Sequence, residues 1–101
     1  MASPYKLTIP RTKGELHDLL GWMVLTCPDF TSNSLPGRDI DATFEELRIG
    51  IRFALKSGAK FDMLQAKAGE LRELCDARNV ASAIRMLEEM SDLLMRPTTL
   101  R

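Results

Sequence analysis

The sequence has few of the groups that enzymes use for chemistry: one histidine and two cysteines among 101 residues. His17 stands beside Asp18 on a predicted helix, and Cys27 lies too far along that helix to meet His17. A catalytic triad or dyad needs its members to converge in space. The glycines are isolated and lack the spacing of a phosphate-binding loop. We therefore predict a protein that is not an enzyme and that needs no cofactor.

Metal ligands are also scarce. Asp29, Thr31 and Asn33 match the first ligand positions of a calcium-binding loop. The match then fails, because Ser34 stands where such a loop needs glycine and Ile40 where it needs glutamate. The sequence therefore predicts no metal site.

The two cysteines, Cys27 and Cys75, form no CxxC motif. Both fall on apolar helical stripes, which predicts buried free thiols. A disulfide between them requires the two helices to pack side by side.

The sequence also lacks an excess of charge of either sign, and it lacks long apolar runs. The 14 basic and 14 acidic residues give a net charge of zero, whereas nucleic-acid-binding domains normally carry a basic excess. No apolar run approaches the roughly 20 residues of a membrane span, and no apolar signal segment follows Met1. We expect a cytoplasmic protein with reduced thiols that binds neither nucleic acid nor membrane.

What the sequence does contain is helical periodicity. Apolar residues recur at the spacing of α-helices in four blocks, which predicts helices over residues 13–26, 42–57, 60–77 and 80–95. Short connections between the last three blocks predict antiparallel neighbours. We therefore predict an all-α, compact four-helix domain over residues 12–96, in which the first helix docks on a tight three-helix unit.

The predicted helix ends rest on capping residues. Thr12 and Asn79 are expected to cap the first and fourth helices. For the second helix we predict an N-cap at Asp41, or a capping box formed by Thr43 and Glu46.

Two glycines have predicted roles in the helical region. Gly58 is expected to end the second helix. Gly69 falls inside the third helix, which predicts the close approach of a neighbouring helix there.

The chain ends follow other patterns. Over residues 1–11, Tyr5, Leu7 and Ile9 alternate with polar residues, which predicts an extended N-terminal arm lying on the domain. Residues 97–101 are expected to form a frayed tail.

Residues 27–41 form a long connection rich in proline, serine and asparagine. Within it, Phe30, Leu35 and Ile40 are evenly spaced apolar residues, which predicts a segment anchored to the domain with an exposed polar tip near Asn33. The segment is either a lid over the second helix or the rim of a binding site there. Burial of Phe30 and Phe53 would distinguish these alternatives.

The second helix carries more apolar surface than one neighbour needs. Ile49 and Phe53 lie on the side opposite its main apolar stripe, beside a basic ridge of Arg48, Arg52 and Lys56. The ridge is either a solvated face or a contact strip for an acidic partner. Ile49 and Phe53 are either covered by the first helix and residues 27–41, or exposed as a patch that marks a protein partner.

The sequence therefore predicts a non-catalytic protein–protein interaction module, of the adaptor, immunity- or antitoxin-like, or chaperone-like kind. The predicted partner-binding residues are Trp22, Phe30, Asn33, Arg48, Ile49, Arg52, Phe53 and Lys56. Two alternatives stay open: a self-associating homodimer, and a helical bundle that binds a small molecule in a pocket lined by methionine and phenylalanine.

Overall fold

The computed structural model describes residues 6–96, which form four helices and, within that range, no strand. The helices are α1 (Lys13–Thr26), α2 (Ile40–Leu55), α3 (Ala59–Asp76) and α4 (Val80–Met95). The predicted all-α four-helix fold is confirmed. The predictions for residues 1–5 and for the tail at 97–101 lie outside the described residues.

Helix α2 begins earlier than predicted because Asp39, rather than Asp41, is its N-cap. The Asp39 carboxylate accepts a hydrogen bond from the Ala42 amide at 2.8 Å. The predicted capping box is wrong as well, since Thr43 and Glu46 lie inside α2 and are both buried. Thr12 and Asn79 do cap α1 and α4 as predicted.

The turn between α2 and α3 uses two residues with positive φ. Lys56 (φ 67°) ends α2, and Gly58 (φ 109°) precedes α3. Gly58 thus lies in the predicted break, and its backbone conformation is one that glycine adopts at little cost. The helix itself ends slightly before the predicted residue, at Leu55.

The helices form a ring in which α1 packs on α2, α2 on α3, α3 on α4, and α4 on α1. An ion pair between Arg72 and Asp41 (2.9 Å) joins the end of α3 to the start of α2. Lys60 donates to the Arg96 carbonyl at 2.7 Å, which joins the start of α3 to the end of α4. Helix α1 is therefore one side of an up-and-down bundle, diagonal to α3, rather than an addition to a three-helix unit.

The core follows the predicted apolar stripes. Every helix contributes side chains that are almost fully buried: Leu16, Leu20 and Met23 from α1, Leu47 and Ile51 from α2, Leu64 and Leu71 from α3, and Leu87, Met90 and Leu94 from α4. Of the described helices, none is long and apolar enough to cross a membrane.

The N-terminal arm, described from Lys6 to Arg11, lies against α2 at Gly50. Pro10 is buried there, and a Cβ atom added to Gly50 would lie 2.9 Å from the Pro10 Cγ and 3.3 Å from Leu16 Cδ1. Gly50 therefore provides the space that the arm occupies. The predicted close approach at Gly69 is wrong, because a Cβ atom there would meet open space.

These two glycines give a matched pair of alanine substitutions. Gly69→Ala should raise the free energy of unfolding by about 0.5–1 kcal/mol, because alanine favours the helix and nothing opposes the added methyl group. Gly50→Ala gains the same propensity but must displace Pro10 or Leu16, so we expect a net loss of about 1 kcal/mol or more. Urea denaturation measures both values. Equal stabilisation by the two substitutions would show that the arm does not pack on α2.

Candidate functional site

A buried ion pair joins residues 27–41 to the middle of α2. Arg38 Nη2 lies 2.5 Å from Glu46 Oε1, and the two side chains are 6% and 1% exposed. Removing two opposite charges from water is costly unless their remaining hydrogen-bonding groups also find partners. The surroundings of this pair provide such partners.

Three further groups surround the pair. Arg38 Nε donates to Thr43 Oγ1 at 3.2 Å, and the Thr8 backbone amide donates to Glu46 Oε2 at 2.8 Å. The Arg38 guanidinium also stacks on Trp22, 4.0 Å from the ring centroid, in a cation–π contact. The arm, α1, residues 27–41 and α2 therefore meet at one polar cluster, which we call the Arg38 cluster.

A groove of about 510 Å³ lies beside the Arg38 cluster. The arm, α1, residues 27–41 and α2 line it, and the Arg38–Glu46 pair forms part of its border. The apolar lining residues are Ile9, Pro10, Leu19, Trp22 and Leu35.

Two carboxylates, from Glu15 and Asp18, also border the groove. Glu15 accepts a hydrogen bond from the Arg11 amide at 2.8 Å. Asp18 forms no ion pair within residues 6–96. The groove thus combines apolar walls with negative charge.

A second surface runs along the outer side of α2, and we call it the helix-2 face: Arg48, Ile49, Arg52, Phe53 and Lys56. Phe53 is 42% exposed, Ile49 is half-buried, and the three basic residues are exposed. The helix-2 face therefore presents both apolar surface and positive charge.

Neighbouring residues partly cover the helix-2 face. The Arg11 guanidinium lies 5.2 Å from the centroid of the Phe53 ring. Glu45 pairs with Arg48 at 3.3 Å. Arg52 and Lys56 have no ion pair within the described part of the chain, so positive charge on this face is only partly neutralised.

The structure separates the predicted partner-binding residues into four places. Five of them share the helix-2 face, and Trp22 lines the groove beneath Arg38. Asn33 is exposed at the tip of residues 27–41. Phe30 is fully buried and packs edge to face on Phe44, with ring centroids 5.7 Å apart. We correct the expectation for Phe30, because this side chain anchors its segment and presents no surface to a partner.

The burial of Phe30 and the exposure of Phe53 distinguish two alternatives for residues 27–41: a lid that covers the second apolar side of α2, or the rim of a binding site there. Residues 27–41 are anchored to the domain as predicted, but they leave Phe53 open. Their Leu35 and Arg38 border the groove instead. The arm, through Pro10 and Arg11, covers part of α2, and the sequence analysis did not assign it this role.

Sequence reasoning missed the Arg38 cluster. Two signals were present: Arg38 is the sole basic residue in the segment 27–41, and Glu46 falls between the two apolar stripes of α2. If other parts of the chain cover both apolar stripes, the carboxylate between them becomes buried as well. A buried carboxylate needs a cation as partner, because unpaired charges are excluded from protein cores. Because Thr43 and Glu46 match a capping box, Glu46 was assigned to the start of the helix and its need for a buried cation was not recognised.

The two cysteines are free, and their thiols lie within hydrogen-bonding reach of each other. Burial raises the pKa of the Cys27 thiol above its usual value and that of Cys75 to about 12. Both side chains are therefore mainly protonated at neutral pH and react slowly as nucleophiles. Among the described residues, no group of three or more potential ligands is placed to hold a metal ion.

Comparison with known proteins assigns no relatives: no protein-family model, curated protein or solved structure matches the chain.

Substitution in the Arg38 cluster should be costly. Glu46→Gln removes the negative charge from the buried pair with Arg38, so we expect the free energy of unfolding to fall by about 3 kcal/mol. Glu45→Gln, which weakens the exposed pair with Arg48, should change it by less than about 1 kcal/mol. Chemical denaturation measures both, and a double-mutant cycle with Arg38→Met should give a coupling energy above about 1 kcal/mol. Equal effects of Glu46→Gln and Glu45→Gln would contradict a buried pair.

Proposed function

We propose that this protein is a non-catalytic protein-binding module that docks an acidic partner on the helix-2 face. The observation that carries the proposal is the exposed Phe53 ring beside the basic side chains of Arg52 and Lys56. An aromatic residue next to arginine is a typical composition for the energetic centre of a protein interface.

Charge defines the kind of partner. The chain as a whole is neutral, yet Arg11, Arg48, Arg52 and Lys56 all lie on or beside this face, with Glu45 as the opposing charge. Complementary charge accelerates encounter and suppresses wrong partners. The partner is therefore a protein segment with several carboxylates around an apolar side chain that contacts Phe53.

The Arg38 cluster holds the arm that packs beside the helix-2 face. Arg38 pairs with Glu46, Glu46 accepts from the Thr8 amide, and the same arm places Arg11 on the Phe53 ring. Residues 27–41 thus contribute to binding by fixing the arm. A surface held in place before binding loses less conformational entropy when the partner docks.

The alternative of a homodimer through the same face is disfavoured by charge. A two-fold interface places one patch against its own copy. Centred on Phe53, it would bring Arg52 and Lys56 close to the same residues of the second subunit. Repulsion between these like charges favours a different, acidic protein over a second copy of the chain.

We also propose that the protein works in the cytoplasm. Its two cysteines lie close together and are both free, which fits a compartment that keeps thiols reduced.

Affinity capture from the source cells tests the docking proposal. The test variant, Arg52→Glu/Phe53→Ser, changes one charge and one apolar side chain on the helix-2 face. The matched control, Arg85→Glu/Met95→Ser, makes the same kinds of change on α4, where Met95 is 50% exposed. We expect wild type and control to retain a discrete acidic protein that the test variant loses, with affinity reduced at least about tenfold.

Salt dependence completes the test. Binding through the helix-2 face should weaken as ionic strength rises, because exposed charges are screened beyond about 8 Å at physiological salt. The proposal fails if the captured protein is equally retained by the test variant, or if no acidic protein is enriched by the wild type.

A second candidate function is ligand binding in the groove. Its walls are apolar and include Trp22, and Glu15 and Asp18 add carboxylates. This composition fits an organic cation with an apolar body, and such concave apolar sites with a few polar groups are where small ligands bind. Among the described residues, neither methionine nor phenylalanine lines the groove, so this pocket differs from the one that the sequence predicts.

Trp22 provides a direct readout, because it is the single tryptophan of the chain. We expect 2-phenylethylamine to change Trp22 fluorescence with millimolar affinity, and 3-phenylpropanoate, a carboxylate of similar size, to have no effect. Asp18→Asn should weaken amine binding roughly five- to tenfold by removing the attracting charge. Equal responses to amine and carboxylate, or none to either, would exclude this function for the groove.

A further inference from the structure

We infer that Cys27 and Cys75 form a redox-modification site, in which a reversible disulfide joins the start of residues 27–41 to the end of α3. This inference is independent of the proposed docking function. Cys27 caps α1, and Cys75 lies in the last turn of α3.

Contacts around the two cysteines support their proximity. Shortly after Cys27, Asp29 pairs with Arg78, which follows Cys75 in the chain, at 2.5 Å. The two thiols are also close enough for each to shift the pKa of the other. The end of α1 and the end of α3 are therefore held together by two separate contacts, although these helices are diagonal in the bundle.

The local packing leaves room for the sulfur atoms to move. A cavity of about 110 Å³ lies against Cys75 and is lined also by Asp29, Ile40 and Arg78. Cys27 is only half-buried, so an oxidant reaches it first.

The chemistry is thiol–disulfide exchange with a low-molecular-weight disulfide such as glutathione disulfide. The Cys27 thiolate attacks one sulfur of the oxidant, forms a mixed disulfide and releases one glutathione. Cys75 then loses its proton and attacks the Cys27 sulfur, and the second glutathione leaves. The protein gives up two protons and two electrons, and the oxidant becomes two thiols.

The reaction should depend strongly on pH. Burial raises the pKa of both thiols, so the reactive thiolate is a minor species at neutral pH and increases about tenfold with each pH unit below the pKa. Oxidation is therefore faster at about pH 9 than at about pH 7.

The disulfide would constrain the bundle across its diagonal. It would close a long loop of chain that includes α2 and most of α3, and closing long loops restricts the unfolded chain most strongly. It would also fix the first residues of the segment that carries Arg38.

The test treats the full, reduced protein with glutathione disulfide at about pH 7 and about pH 9. We expect both thiols to disappear together, the intact mass to fall by two hydrogens, and Tm to rise by roughly 5–15 °C. Dithiothreitol should reverse all three changes. Persistent glutathione adducts, disulfide-linked dimers, an unchanged mass or an unchanged Tm would each overturn the inference.

Single substitutions separate the two steps. Cys75→Ala should stop at a glutathione adduct on Cys27, with no rise in Tm. Cys27→Ala should leave Cys75 unmodified, because that side chain is only 2% exposed. If Cys75 is modified in Cys27→Ala as fast as in the wild type, the proposed order of the two steps is wrong. The Cys27→Ala variant should still fold, because Cys27 is only half-buried.

Discussion

The buried ion pair between Arg38 and Glu46 is the interaction on which the rest of the structure depends. It lies where four separate pieces of chain meet: the arm, α1, residues 27–41 and α2. Helix packing alone can form a bundle from α1 to α4, because each helix has its own apolar stripe. Apolar packing also holds the long connection through Phe30 and the arm through Pro10. The buried pair adds a directional constraint, because its charged groups are stable only where hydrogen-bonding partners surround them.

The position of the arm follows from this pair and determines both surfaces. Thr8 is held by Glu46, Pro10 then fits against Gly50, and Arg11 reaches the ring of Phe53. The same short stretch borders the groove through Ile9 and Pro10. Apolar residues in place of Arg38 and Glu46 would leave the Thr8 amide without its carboxylate partner.

The sequence predicted what local patterns determine and missed what distant residues determine. The apolar periodicity and the caps at Thr12 and Asn79 were enough to locate four helices. The start of α2 was missed because Asp39 and Asp41 are equally good N-caps by residue type, and the sequence pattern does not choose between them. Gly50 and Gly69 look alike in sequence, and only the path of the arm makes one of them necessary. Among the site residues, the helix-2 face followed from helical spacing, whereas the groove needed the arm in place.

Neutrality of the whole chain conceals a separation of charge at its surface. Arg11, Arg52 and Lys56 lie on or beside the helix-2 face, while Glu15 and Asp18 border the groove. Because screening limits exposed charges to a range of about 8 Å, a partner responds to the local surface rather than to the net charge. The arm borders both surfaces, with Pro10 in the groove and Arg11 on Phe53. Any substitution that moves the arm should therefore alter both surfaces together, because the arm adjoins both and is bonded to Glu46 in the Arg38 cluster.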